Sequence, residues 1–219
     1  MMPSLAAALV AAALALPPSA AAQQDPPPAP LSPAQVVLFQ TPHLDAIRTP
    51  QDLDYTFRRE EEGRAPVEDR ITMEVRAVHA DGGHDVHPEF LTGERRIPYP
   101  PALGFRGNPL VMFALDRDTR ELAAATGGSA TWFRNRIRRA FAEGATLRET
   151  RRGDAPAVEV EIQPFQGEPR ARRYQERRYL FLLSEAVPGG VAEIRTVLPA
   201  GDGGGRVEET IAFAGSRPR

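Results

Sequence analysis

Two stretches of alternating apolar and polar residues enclose one pair of helical patterns, and that order leaves the chain few architectures. Leu53, Tyr55 and Phe57 alternate with Asp54, Thr56 and Arg58, and Ile71, Met73, Val75 and Ala77 with Thr72, Glu74 and Arg76. A period of two marks half-buried strands. Asp81-Gly82-Gly83 reads as a hairpin turn into a strand near residues 85–91. Asn108-Pro109 then starts a helix, an acceptor followed by proline at the first helical position. That helix runs to about Ala125, with Val111, Leu115 and Leu122 on one face, and Gly127-Gly128 ends it. Ser129 or Thr131 caps a second helix, whose Phe133, Ile137, Ala140 and Phe141 form a core-facing stripe closed by Gly144.

After Gly144 the chain reads as β. Val158, Val160 and Ile162 alternate with Glu159, Glu161 and Gln163, whereas Tyr179–Leu183 is apolar on both faces, as in a covered central strand. Val187-Pro188-Gly189-Gly190 fits a type II turn. Strands near Val191–Leu198 and Val207–Phe213 flank the glycine-rich loop Gly201–Gly205. Strands, then two helices, then strands predict an α+β domain, an antiparallel sheet of about seven or eight strands with the helices on one face. A short helical turn is expected near Val36–Phe39.

The N-terminus carries a different signal. Residues 5–16 are an uncharged apolar run, too short for a bilayer, which needs about 20 residues. Ala20-Ala21-Ala22 follows as a signal-peptidase site, although no basic residue precedes Arg48. Residues 1–22 therefore read as a signal peptide. Residues 23–33, with five prolines, read as an extended tether, and 34–219 as a single domain. No later stretch is long and apolar enough for a membrane helix. The chain has no lysine, all 27 basic residues being arginine, and it is rich in alanine, a GC-rich bacterial signature that makes the expected compartment the periplasm.

The order of elements behind a signal peptide resembles the LolA-type lipoprotein carriers and related envelope proteins, over roughly residues 50–213. That resemblance implies a curved antiparallel half-barrel whose concave face is covered by helices.

Composition removes several chemistries. Without lysine there is no Schiff base, Ser-Lys hydrolase or Gly-Lys phosphate loop; without cysteine there is no thiol catalysis, disulfide or zinc ribbon. No serine lies in a Gly-x-Ser-x-Gly elbow, and Gly201–Gly205 lacks dinucleotide spacing and a following helix. The net charge is −2, and no nucleic-acid motif is present. Binding is favoured over catalysis.

Three patches carry candidate chemistry. His79, His84 and His87, with Asp85, could hold zinc or copper if the hairpin brings them together. A two-residue turn puts His79 with Asp81 and His84; a three-residue loop pairs His79 with Asp85 and puts it on the face of His87. Otherwise the tip is merely solvated. The second patch is the basic block 129–180, with 12 Arg against 7 acids (net +5), where 40–128 has 11 Arg against 16 acids (net −5). On the second helix, Arg134 and Arg138 lie on one shoulder of the apolar stripe, and Arg136 and Arg139 on the other beside Trp132. That grouping suits an anionic headgroup, phosphate or carboxylate, or a face paired with acids. Arg170–Arg178 is expected to enter a strand. The third patch is the loop Arg95–Asn108, with Tyr99 and Phe105, either a lid or a proline-stiffened crossover. Together these features predict a periplasmic binding or carrier protein for a lipid-like or anionic-headgroup ligand. The alternatives are a metal protein using the histidine hairpin and an accessory factor for an envelope protein partner.

Overall fold

The order of hydrophobic patterns becomes a single sheet. In the computed structural model, residues 30–201 and 204–219 are described. The expected signal peptide and residues 23–29 of the tether lie outside the described residues. Ser32 ends the tether in a capping box. Its Oγ accepts the Gln35 N–H at 3.2 Å, its N–H donates to Gln35 Oε1 at 2.9 Å, and its hydroxyl donates to the Phe141 carbonyl at 2.6 Å. The short α1 (Pro33–Gln35) continues as one π turn, Val36–Gln40, and buries Ala34 and Leu38. This is the short turn expected from the sequence.

The strands are β1 (Gln51–Glu61), β2 (Val67–Val78), β3 (His84–Phe90), β4 (Ala102–Phe105), β5 (Thr146–Arg152), β6 (Ala155–Ile162), β7 (Arg178–Leu183), β8 (Val191–Leu198) and β9 (Val207–Pro218). They form an antiparallel nine-stranded sheet in the order β4-β3-β2-β1-β9-β8-β7-β6-β5. The C-terminal strand thus inserts beside the N-terminal one and joins two meanders. Helices α2 (Leu110–Thr126) and α3 (Ala130–Glu143) connect β4 to β5, the two opposite edges. Leu110, Val111 and Leu122 of α2 and Phe133, Ile137 and Phe141 of α3 join the buried residues of the sheet in one core. Helices on one face of an antiparallel sheet are what the order of patterns requires, with a strand or two more than expected.

The extra strands were hidden for physical reasons. β4 follows Pro100 and Pro101, and an edge strand accommodates nearby prolines because only one of its sides is hydrogen-bonded. The loop Arg95–Asn108 is therefore a bridge at Ile97 and an edge strand rather than one irregular segment. β5 is exposed at every residue except Leu147, which is half-buried, so it carries no alternation to read. The basic run Arg170–Arg173 does not enter a strand either: Pro169–Glu176 forms a 3₁₀ segment, and β7 starts at Arg178. In β7 only Tyr179, Phe181 and Leu183 are buried, while Leu180 and Leu182 are half-buried.

Local signals hold where they were clearest. Asn108 Oδ1 accepts the Leu110 N–H at 3.0 Å, and its amide donates to Tyr55 Oη at 3.1 Å and the Gly189 carbonyl at 2.8 Å. One buried side chain thus caps α2 and ties it to β1 and to the β7–β8 turn. Gly127 ends α2 at φ 68°. Ser129 takes the N-cap position of α3, but its side chain makes no capping hydrogen bond.

The type II turn is realised, with Gly190 N–H on the Val187 carbonyl at 2.8 Å and Gly189 at φ 80°. A Cβ on residue 189 would lie 2.7 Å from Leu53 Cδ1 and 2.9 Å from Asn108 Nδ2. Gly189→Ala is expected to destabilise the fold by about 2 kcal/mol or more. Gly63→Ala, also at positive φ but with open space around it, should lose only about 1 kcal/mol. Urea midpoints of the two variants measure the difference; equal midpoints would show that the crowding at 189 is without effect.

Candidate functional site

Helix α2 faces the sheet with charge as well as hydrocarbon. Asp118 comes seven residues after Val111, which places it about 20° from Val111 around the helix, within the apolar stripe. Glu209 sits between Val207 and Ile211 in the alternation of β9. Both are buried, as are Arg117 beside Asp118 and Arg177 just before β7. This cluster escaped the sequence reading, although a carboxylate in a buried register was a signal in each case.

The groups interlock between α2 and the sheet. Arg117 grips Glu209 with two hydrogen bonds, Nη1 to Oε2 at 3.0 Å and Nη2 to Oε1 at 3.1 Å. Arg59 of β1 adds a third at 2.8 Å, and Glu121 meets Arg117 at 2.8 Å. Asp118 accepts short hydrogen bonds from the Arg177 guanidinium and the Tyr179 hydroxyl, and Arg177 also donates to Thr196 Oγ1 at 3.0 Å. Two guanidinium groups lie on aromatic faces, Arg117 at 4.8 Å from Phe57 and Arg177 at 5.5 Å from Tyr179. The buried Arg117 and Arg177 balance the buried Asp118 and Glu209, and half-buried Arg59 and exposed Glu121 add one charge of each sign at the rim, so the cluster sums to zero. A cavity of about 20 Å³, room for one water, lies among Phe57, Leu115, Asp118, Tyr179 and Ile194.

The electrostatics of these groups follow from burial and pairing. Burial alone would raise the pKa of Glu209, but Arg117, Arg177 and Arg59 hold it at about 2. Asp118 goes the other way: its burial outweighs Arg177, and its pKa is raised. Carboxylate oxygens of Asp118, Glu121 and Glu209 lie within 4.8 Å of one another, yet a metal ion there would have to displace two buried guanidinium groups. The arrangement encloses space for no more than one water. What it does is fasten a helix to a sheet by ionic contacts.

The histidines are held apart. The hairpin loop is residues 80–82, with His79 N–H on the Gly83 carbonyl at 2.8 Å, and Val78 opposite His84. His84 alone turns to the core and lies 3.0 Å from the Ile47 carbonyl through Nε2. His79 pairs with Asp85 at 2.8 Å in solvent, which raises its pKa. His87 sits opposite Glu74 in the β2–β3 register. Because the loop closes with His79 opposite Gly83, the strand register differs from both sequence-based pairings, although the side chains of His79 and Asp85 meet. A bulge between Val75 and Ala77 shifts the register farther from the turn, toward His87.

On α3, Arg134 pairs with Asp116 of α2 at 3.1 Å, Arg136 with Glu168, and Arg139 with Glu143 at 3.8 Å. Arg138 is exposed and has no acidic partner among the described residues. Trp132 stacks on Phe165 at 6.3 Å, with the Arg136 guanidinium 5.9 Å above its ring. Tyr99 packs into the core edge, stacked on Phe113 at 4.6 Å and donating to its carbonyl at 3.0 Å. Phe105, half-buried on β4, lies opposite His84.

Comparison with known proteins places these features among architectures rather than relatives. No family model matches the chain, and no curated protein matches it. Similar solved structures include the MucA/MucB complex of Pseudomonas aeruginosa, with 17% identity, a TM-score of 0.35 and 85% of this chain covered. This chain spans 57% of the matched chain in that complex. They also include a LolA superfamily protein of Nitrosomonas europaea, with 10% identity, a TM-score of 0.26, and 85% of this chain and 93% of the other covered. No helix among the described residues is long and apolar enough to cross a membrane.

The cluster sets how the fold responds to acid. A carboxylate whose pKa falls on folding contributes stability above its ordinary value, and that stability is lost as the pH drops through the folded pKa. Glu209 moves from 4.5 to about 2, so its contribution, of the order of 3 kcal/mol, is complete near pH 5 and gone near pH 2. Asp118, raised instead, gains stability on protonation and opposes the trend. In thermal unfolding between pH 5 and pH 2, Glu209→Gln should start lower and fall less steeply than the native chain. Parallel curves would assign the acid sensitivity to other groups.

Proposed function

We propose that the protein is a non-enzymatic binding protein of the periplasm that carries a lipid-like ligand beneath α2. The observation that supports this reading is how α2 is held. The face of the sheet below it is lined with Phe57, Ile194 and Ile211, while the contact that fixes the helix there is ionic and encloses a cavity. Apolar packing is lost as soon as surfaces part, but paired charges re-form with partners or water on either side of the opening. A helix fixed in this way can lift from an apolar sheet face and expose it. The closed form leaves room only for water, so ligand uptake requires α2 to move.

In this reading the basic side of α3 receives the polar end of the ligand, with Arg138 exposed, Arg136 over Trp132, and Arg134 and Arg139 in weak surface pairs. Surface pairs of this kind contribute only about 0–1 kcal/mol each, so exchanging a carboxylate partner for a phosphate has little penalty. An envelope protein bearing such a lipid would be a partner by the same contacts.

Native mass spectrometry of the chain mixed with lysophosphatidylglycerol or oleate tests the reading. One bound molecule that is lost on denaturation is expected. The chain has no cysteine, so a cysteine pair joining α2 to β8 would form a single disulfide. The oxidised form should take up no ligand, and reduction should restore uptake. A bare polypeptide mass with every lipid, together with no fluorescence gain from an apolar dye, would overturn the proposal.

A further inference from the structure

Of the five large apolar side chains exposed among the described residues, three, Leu31, Val36 and Phe39, lie within nine positions at the start of the domain. From Pro30 to Leu44 the chain carries no arginine and no acid, although 26% of the sequence is charged. Helical geometry sorts this segment into two sides. Ala34 and Leu38, four residues apart, turn to the core, and Val36 and Phe39, three apart, are left facing outward.

The outward side is held in place. Ser32 Oγ donates to the Phe141 carbonyl at 2.6 Å, and the Phe39 ring meets the Phe141 ring edge-on at 5.3 Å. The segment is thus fastened to the last turn of α3, and its exposed hydrocarbon stays in water unless a second surface covers it. The neighbouring elements are basic. α1 packs on α3 and β5, whose exposed charges are five arginines against Glu143 and Glu149. Arg138, without an acidic partner among the described residues, stands one turn before Phe141.

We infer that this face docks on the surface of an anionic phospholipid bilayer. Lasting contact with a bilayer takes two signals, apolar side chains that enter the headgroup boundary and basic groups that are drawn to acidic lipid. Leu31, Val36 and Phe39 supply the first, and the arginines of α3 and β5 the second. A protein partner fits less well, because a stable interface buries about 800 Å² on each side, and three partly covered side chains offer only a fraction of that. The face is built without α2, so docking stands or falls separately from ligand uptake beneath that helix.

Because the chain has no cysteine, a single introduced one can carry a nitrobenzoxadiazole label, whose emission rises on entering hydrocarbon. Val36→Cys places the label on the face. Leu103→Cys places it on β4, at the opposite edge of the sheet from β5 and at a more exposed position, 65% against 43%. With the full chain on vesicles of phosphatidylcholine and phosphatidylglycerol, emission should rise for the label at 36 and stay unchanged at 103. Vesicles of phosphatidylcholine alone, or high salt, should remove most of the rise. Leu31→Ser, at a side chain without a ring contact, should weaken vesicle affinity of the chain labelled at 36 about fivefold and leave the melting temperature unchanged. No rise at 36, an equal rise at 103, or a rise indifferent to phosphatidylglycerol would overturn the inference; the first would leave the face to a protein contact.

Discussion

Helix α2 meets the sheet through Arg117 on Glu209 and Asp118 on Arg177, and the positions of both layers depend on these two pairs. Their partners come from β9 and from the start of β7, with Arg59 of β1 and Thr196 of β8 completing the shell. One cluster therefore joins the N-terminal meander, the inserted C-terminal strand and the central strands to a single helix. Charges buried this deeply are tolerated only when every one is paired, since removing a partner from such a pair commonly costs about 3–5 kcal/mol. Burying hydrocarbon at these positions would hold the helix at least as firmly. Ionic contact differs in being directional, so it sets the rotation of α2 and the height at which it sits.

In the proposed carrier reading, that geometry ties the core to function: an all-apolar seam would be a permanent core, whereas an ionic seam over Phe57 and Ile194 leaves an apolar surface beneath a helix that could be released. The second buried polar node, Asn108 between Tyr55 and Gly189, anchors the other end of α2. A neutral amide satisfied on three sides gains nothing from opening. In the proposed carrier reading, the N-terminal end of α2 is the fixed end and the Arg117–Asp118 turn, midway along the helix, is the part that would move.

Much of the fold could be read directly. Leu53, Tyr55 and Phe57, and Ile71, Met73 and Val75, face the core because alternation is a property of the extended chain itself. Asn108-Pro109 and Pro188-Gly189 are local signals, and each forms as expected. The strands that went unread, β4 and β5, are the two edges, where one side of the strand meets solvent and selection for alternation is weak. The candidate site was legible only in part. The arginines of α3 were placed on the right helix, but Arg134 and Arg136 are taken up by Asp116 and Glu168, which folding brings in from elsewhere in the chain, while Arg139 meets Glu143 one turn on in the same helix. The histidine hairpin depended on register, and the position of the loop at residues 80–82 set it, with Val78 opposite His84, which turns to the core, and His79 left with Asp85.

The sequence by itself determined the class of the fold, the split into strands, helices and strands, the exclusion of thiol and lysine chemistry, and most caps and turns. These rest on the period of the side chains and on the conformational limits of single residues. The tertiary structure alone decided which charges meet. Asp118 and Arg177 lie 59 positions apart and Arg117 and Glu209 92, and no local rule pairs residues across such distances. It also decided that Arg172 would take a glycine's conformation. Ala171 and Arg177 are buried on either side of it, and the chain between them turns at Arg172.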